Sequence, residues 1–115
     1  MDKLENRTVT HKGTECDVYV SRYMHGGRLA IALVERATGE PWATATVNVP
    51  DDPLGPKEVA VKDYSENEGM LDALVAAGLV RPTGRTISQG YVTIPVAEIL
   101  FSEGDTDGEQ PEEPK

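Results

Sequence analysis

The chain has 115 residues, enough for one domain, and 38% are hydrophobic with only one Trp, four Tyr and one Phe, so a single core must come chiefly from Val, Leu, Ile and Ala. A formal charge of −9, from 20 acidic and 11 basic residues, argues against direct nucleic-acid binding, which needs clustered Lys and Arg at phosphates, and points to a basic partner. The lone cysteine, Cys16, excludes an intramolecular disulfide and a multi-cysteine metal centre, and no apolar run has the length of a signal peptide core or a membrane span, so a soluble cytoplasmic protein without membrane contact is expected.

Residues 1–13 are polar apart from Leu4 and Val9 and are expected to form an arm or a weak edge strand. From Thr14 to Tyr23 the period becomes two, with Cys16, Val18 and Val20 on one face. His25, Gly26 and Gly27 supply a hairpin turn, and Leu29, Ile31 and Leu33 resume the alternation beyond it. A second turn at Thr38–Pro41 leads into WATATVNV, where Ala43, Ala45, Val47 and Val49 alternate with Trp42, Thr44, Thr46 and Asn48. These segments predict a three-strand antiparallel meander with Trp42, Thr44 and Thr46 on its second face.

The run PDDPLGP at 50–56 cannot continue a sheet, because its three prolines remove ladder donors and fix φ. Val59 and Val61 then mark a short fourth strand. From Met70 the apolar spacing is helical, with Leu71, Leu74 and Val75 on one face and Met70, Ala73 and Ala77 beside it. Ser65 and Glu68 fit a capping box, Gly69 offers a later start, and Gly78 marks the stop. The turn-rich RPTGRT follows, then a last strand, GYVTIPV, with Val92, Ile94 and Val96 on one face and Pro95 suggesting an edge or an end. Residues 97–101 make a short apolar close. The segment 102–115 has no apolar residue and sets six carboxylates against Lys115 alone, so a disordered acidic tail is expected. The fold class is therefore α+β: a small antiparallel sheet of about five strands with one short helix on one face, a single domain over 14–101.

Chemistry is sparse. His11 and His25 lie in polar, glycine-flanked stretches without a second ligand at helical spacing and read as surface residues. Cys16 alternates with valines and reads as a buried structural thiol, although a Cys16 and His25 pair across the first hairpin stays open. The glycines match no phosphate-binding pattern. The turn and helix-start carboxylates should be solvated rather than tuned for acid–base work, so neither an enzyme nor a cofactor is expected. Between Asp51 and Asp72 seven acids, with Glu58 among them, face only Lys57 and Lys62. Folded together they would make a negative patch able to steer a basic partner, or a face kept for solubility. Tyr19, Tyr23, Trp42 and Tyr91 are candidate anchors if exposed.

Two stretches, KDYSENEG at 62–69 and GRTISQGYVTIPV at 84–96, resemble a family of uncharacterised short proteins encoded on bacterial plasmids, integrated elements and phages. The likeness covers residues 28–100. It implies genomic company rather than an activity, because mobile elements carry small acidic proteins that disable restriction or CRISPR systems. The expectation it supports is a non-enzymatic inhibitor in the cytoplasm of a bacterial host: an anti-CRISPR protein that occupies a DNA-binding or effector surface of a Cas complex, in the manner of a DNA mimic. Asp51, Asp52, Asp63, Glu66, Glu68 and Asp72 would meet Lys and Arg of an effector subunit, with Tyr64 as anchor and the chain a monomer or weak dimer. The alternatives are a replication or transfer accessory acting through protein contacts and, more weakly, a small hydrolase using Cys16 or a carboxylate pair.

Overall fold

Alternating residues set the first sheet. Cys16, Val18 and Val20 on β2 (Thr14–Arg22) and Leu29, Ile31 and Leu33 on β3 (Leu29–Glu35) are all buried, and Val18 faces Leu33 while Val20 faces Ile31 across an antiparallel ladder. The structure, a computed structural model, describes residues 2–102. The expected tail lies, but for Ser102, outside the described residues.

Before β2 runs β1 (Asp2–His11), a ten-residue strand that pairs with β2 through a two-residue turn with positive φ at Lys12 and Gly13. Such turns match the twist of a hairpin. The ladder breaks between Lys3 and Thr8, where β1 bulges with Asn6 at φ 62°. Leu4 and Val9 still reach the core with no exposed surface. Each such side chain contributes about 1.5–3 kcal/mol through burial, so of the two expected forms this segment is the edge strand, joined to the folded core, rather than an arm. On the other flank β4 (Pro41–Thr44) pairs with β3 and completes a sheet of order β1-β2-β3-β4.

The strand expected over 42–49 ends at Thr44 because the chain crosses there to a second sheet. Ala45 donates to Ile31 and Val47 donates to Ala60, so the chain bonds first to one sheet and then to the other. Thr46 is buried, not on an outer face: its hydroxyl accepts from the Ile31 amide at 3.2 Å and bonds the Tyr23 hydroxyl at 2.9 Å.

The second sheet contains β5 (Glu58–Ala60), β6 (Val80–Gln89) and β7 (Val92–Ile99) in the order β5-β7-β6. The α+β class is found, with one short α-helix and seven strands in two antiparallel sheets among the described residues, instead of about five strands in one sheet. RPTGRT lies within β6 and is a bulge rather than a loop, with Gly84 at φ +88° where the register breaks between Pro82 and Thr86. Pro95 sits on the central strand, not on an edge. It faces Thr86 at the end of that bulge, so its missing N–H falls where the ladder is already irregular, while its carbonyl accepts from Val61 at 2.9 Å. Both faces of β7 are buried, since Ala97 and Ile99 join the main core and Ile94 and Val96 join a second cluster with Val49, Ala60 and Ile87.

Helix α1 (Met70–Ala76) packs against β1 and β6. Its buried stripe is Met70 and Leu74, with Leu71, Ala73 and Ala77 alongside, and Val75 is turned to solvent at 39% exposure. The stripe is thus rotated from the expected one, following the i, i+4 pair Met70–Leu74. The helix stops as expected: Gly78 takes φ +75°, Leu79 donates to Leu74 and Gly78 to Val75, the Schellman pattern.

Candidate partner-binding surface

The strand-to-helix connection, KDYSENEG, is assembled by contacts with distant residues. A 3₁₀ turn (Ser65–Asn67) precedes the helix, and Ser65 opens it at φ 56° with no capping bond from a side chain. The expected capping box is therefore absent. Gly69, at φ 88°, stands in the helix N-cap position, and having no side chain it leaves the first amides to other acceptors. Asp63 takes that role, its Oδ1 accepting from the Leu71 amide at 2.9 Å. Asn67 is buried and donates through Nδ2 to the Thr44 carbonyl at 2.7 Å, which fastens the turn to β4.

His11 completes the assembly and is buried, contrary to its expected surface position. Trp42 Nε1–H donates to its Nδ1 at 3.0 Å, so Nε2 carries the proton and donates to the Glu68 carbonyl at 3.0 Å. The two rings meet edge to face, with centroids 6.3 Å apart. One imidazole thus ties the end of β1 to β4 and to the helix start. His25 stays exposed in the β2–β3 turn, whereas Cys16 faces Val9 and Glu35 at the opposite end of that hairpin, so the two do not form a pair. Burial, then the carboxylates of Glu35, Asp17 and Glu15, push the Cys16 thiol up to about 11.

The seven expected contact residues divide into four groups. Asp63 is occupied as the helix cap. Glu66 pairs with Lys62 at 2.9 Å, which holds its carboxyl below the usual range and raises Lys62, and Lys12 donates to the Glu66 carbonyl. Asp51, Asp52, Glu68 and Asp72 have no ion pair among the described residues, and all but the half-buried Asp52 are exposed. Tyr64 is half-buried against the second apolar cluster, with the Lys62 ammonium 5.9 Å from its ring centre. The Asp52 amide donates to the carbonyl of Val49, another member of that cluster, at 3.1 Å. Glu68 and Asp72 lie farther along, at the His11 junction and on α1.

Of the aromatic candidates, Tyr91 is fully exposed at the β6–β7 turn, Trp42 is partly exposed beside His11, and Tyr19 and Tyr23 are half-buried in the first sheet. A depression of about 420 Å³ lies instead at the β1 bulge, lined by Lys3, Arg7 and Arg36 together with Glu5, Glu15 and Asp17. None of the expected contact residues lines it. Among the described residues no three His, Cys, Asp or Glu side chains are grouped to hold a metal ion, and no helix is long and apolar enough to cross a membrane. Comparison with protein families, with curated proteins and with solved structures finds no match to this chain.

Proposed function

We propose that the chain acts by binding a basic protein surface, and that its contact face runs from the Asp51–Asp52 turn past Tyr64 to Glu68 and Asp72. The observation that carries this reading is the unequal use of the acids: Asp63 and Glu66 are spent on the fold, while Asp51, Asp52, Glu68 and Asp72 reach solvent without an ion pair among the described residues. Carboxylates so placed, on a turn and a helix start held by buried His11 and Asn67, steer a cationic partner and fix its register with little ordering cost.

Joined to the family resemblance, this face suits an inhibitor of a host defence complex of the CRISPR type, one that covers the Lys- and Arg-lined cleft where the complex holds nucleic acid. The test is phage plating on a CRISPR-immune host that expresses the chain. Wild type should restore plaques by several orders of magnitude. The quadruple variant Asp51→Asn, Asp52→Asn, Glu68→Gln, Asp72→Asn, shown by circular dichroism to fold, should lose most of that rescue. Full rescue by the folded variant would remove the acidic face from the account, and absence of rescue by wild type across CRISPR types would remove the inhibitor reading.

A further inference from the structure

Cations gather where the described chain ends. Arg22, Lys57 and Ser102 line, with the buried Phe101, a depression of about 260 Å³. A second depression, about 170 Å³, shares Arg22, Leu29 and Pro56 with the first and adds Arg28, so the two adjoin as one trough. Among the described residues the one carboxylate lining it is Glu58, and that is occupied: its Oε1 accepts from the Gly55 amide at 2.9 Å and from Arg85 at 2.6 Å. Arg28 and Arg22 each give an N–H to a backbone carbonyl, Val49 at 2.6 Å and Gly27 at 2.8 Å, which fixes the guanidinium without neutralising it. Arg28 and Lys57 have no ion pair among the described residues, whereas Lys3 and Arg36 face Asp17, Lys62 faces Glu66 and Arg81 faces Glu98.

We propose that the acidic segment 103–115 of this chain docks on the trough of Arg22, Arg28 and Lys57 as an intramolecular ligand, and so keeps other polyanions off it. Charge and reach both favour this occupant. The segment sets six carboxylates against Lys115 alone, it departs from Ser102 on the trough's own wall, and extended chain covers about 3.3–3.6 Å per residue. Tethering gives such a segment an effective concentration on the order of millimolar, so ionic contacts too weak to hold a free peptide suffice. The contact needs no part of the acidic face proposed above, since neither Asp51 nor Asp52 lines the trough.

The experiment uses the full chain, isotope-labelled, with a nitroxide on Gly108→Cys, the buried Cys16 carrying none. Line broadening should concentrate on the amides of Arg22, Gly27, Gly55 and Lys57 and fade at high salt. Lys57→Glu, an exposed substitution that spares the core, should reduce it about twofold or more. A second, full-length variant carries Glu103→Gln, Asp105→Asn, Asp107→Asn, Glu109→Gln, Glu112→Gln and Glu113→Gln. It should lose the broadening, and should bind oligoglutamate at the same amides at least about threefold more tightly than wild type, in which the tethered segment competes. Broadening spread evenly over the surface, or centred on Lys3, Arg7 and Arg36, would overturn the proposal, as would equal oligoglutamate affinities or no binding to either chain. Broadening of an isotope-labelled chain by a separate nitroxide-bearing one would overturn the intramolecular contact and assign the segment to a second copy.

Discussion

Replacing Asp63 by Ala tests whether that carboxylate is committed to the fold. Its Oδ1 accepts from Leu71 at 2.9 Å, the second residue of α1, where Gly69 has no side chain to offer. Loss of a helix cap costs about 0.5–2 kcal/mol, and loss of a negative charge at the helix start adds about 0.3–1 kcal/mol. Asp63→Ala should therefore destabilise the domain by about 1–2 kcal/mol, and Asp63→Asn, which keeps an acceptor, by about half as much. In a domain of this size the alanine variant should melt roughly 5–12 °C lower. Ser65→Ala and Glu68→Gln should each stay within about 0.5 kcal/mol, because no capping box forms. Ser65→Gly should stabilise by up to about 1 kcal/mol by relieving a positive φ of 56°. Urea unfolding followed by far-ultraviolet circular dichroism measures all five. A silent Asp63→Ala together with a cost of about 1 kcal/mol for Ser65→Ala would restore the capping box and refute this account of the junction.

The His11 junction predicts that Trp42→Phe, which removes the donor to Nδ1 and leaves a buried acceptor unpaired, costs about 1–3 kcal/mol although Trp42 itself is partly exposed; equilibrium unfolding reads it. Cys16 should resist alkylation at pH 8 in the native state and react rapidly in urea. Its folded-state value is raised from 9.0 to about 11, so the stability gained by keeping the thiol neutral is complete below pH 9 and is lost as pH rises toward 11. Denaturation midpoints measured across that range should fall less steeply for Cys16→Ala than for wild type.

Local signals carried much of this fold and little of its long-range wiring. The β2–β3 hairpin was legible because a period of two survives across a glycine turn, and the helix stop because Gly78 needs a positive φ. The second sheet was not. Val96, Ala97 and Ile99 run nearly unbroken because β7 is covered on both faces, a pattern that looks like a loose apolar end until the second layer is known. Pro82 and Gly84 signal a turn, yet the same residues suit a bulge inside β6. His11 looked exposed because its partners, Trp42 and Glu68, are 31 and 57 positions away. At the candidate surface the sequence read Asp51, Asp52, Glu66 and Glu68 as solvated, of which Asp52 is half-buried, and did not distinguish Asp63, engaged eight positions downstream, from Asp72, which is free of ion pairs among the described residues. Asn67 escaped notice for the same reason. Within KDYSENEG it is the buried tie to β4, and with Asp63 and Gly69 it accounts for three of the motif's residues by folding alone.

The central claim is that the exposed acids bind a cationic cleft that otherwise holds nucleic acid. The most direct measurement is displacement of target DNA from a CRISPR effector complex by the purified chain, followed by electrophoretic mobility shift at two salt concentrations. Displacement should weaken markedly as salt rises, and the folded Asp51→Asn, Asp52→Asn, Glu68→Gln, Asp72→Asn variant should need at least about tenfold more protein and show a flatter salt dependence. Equal displacement by variant and wild type at both salts would contradict the claim.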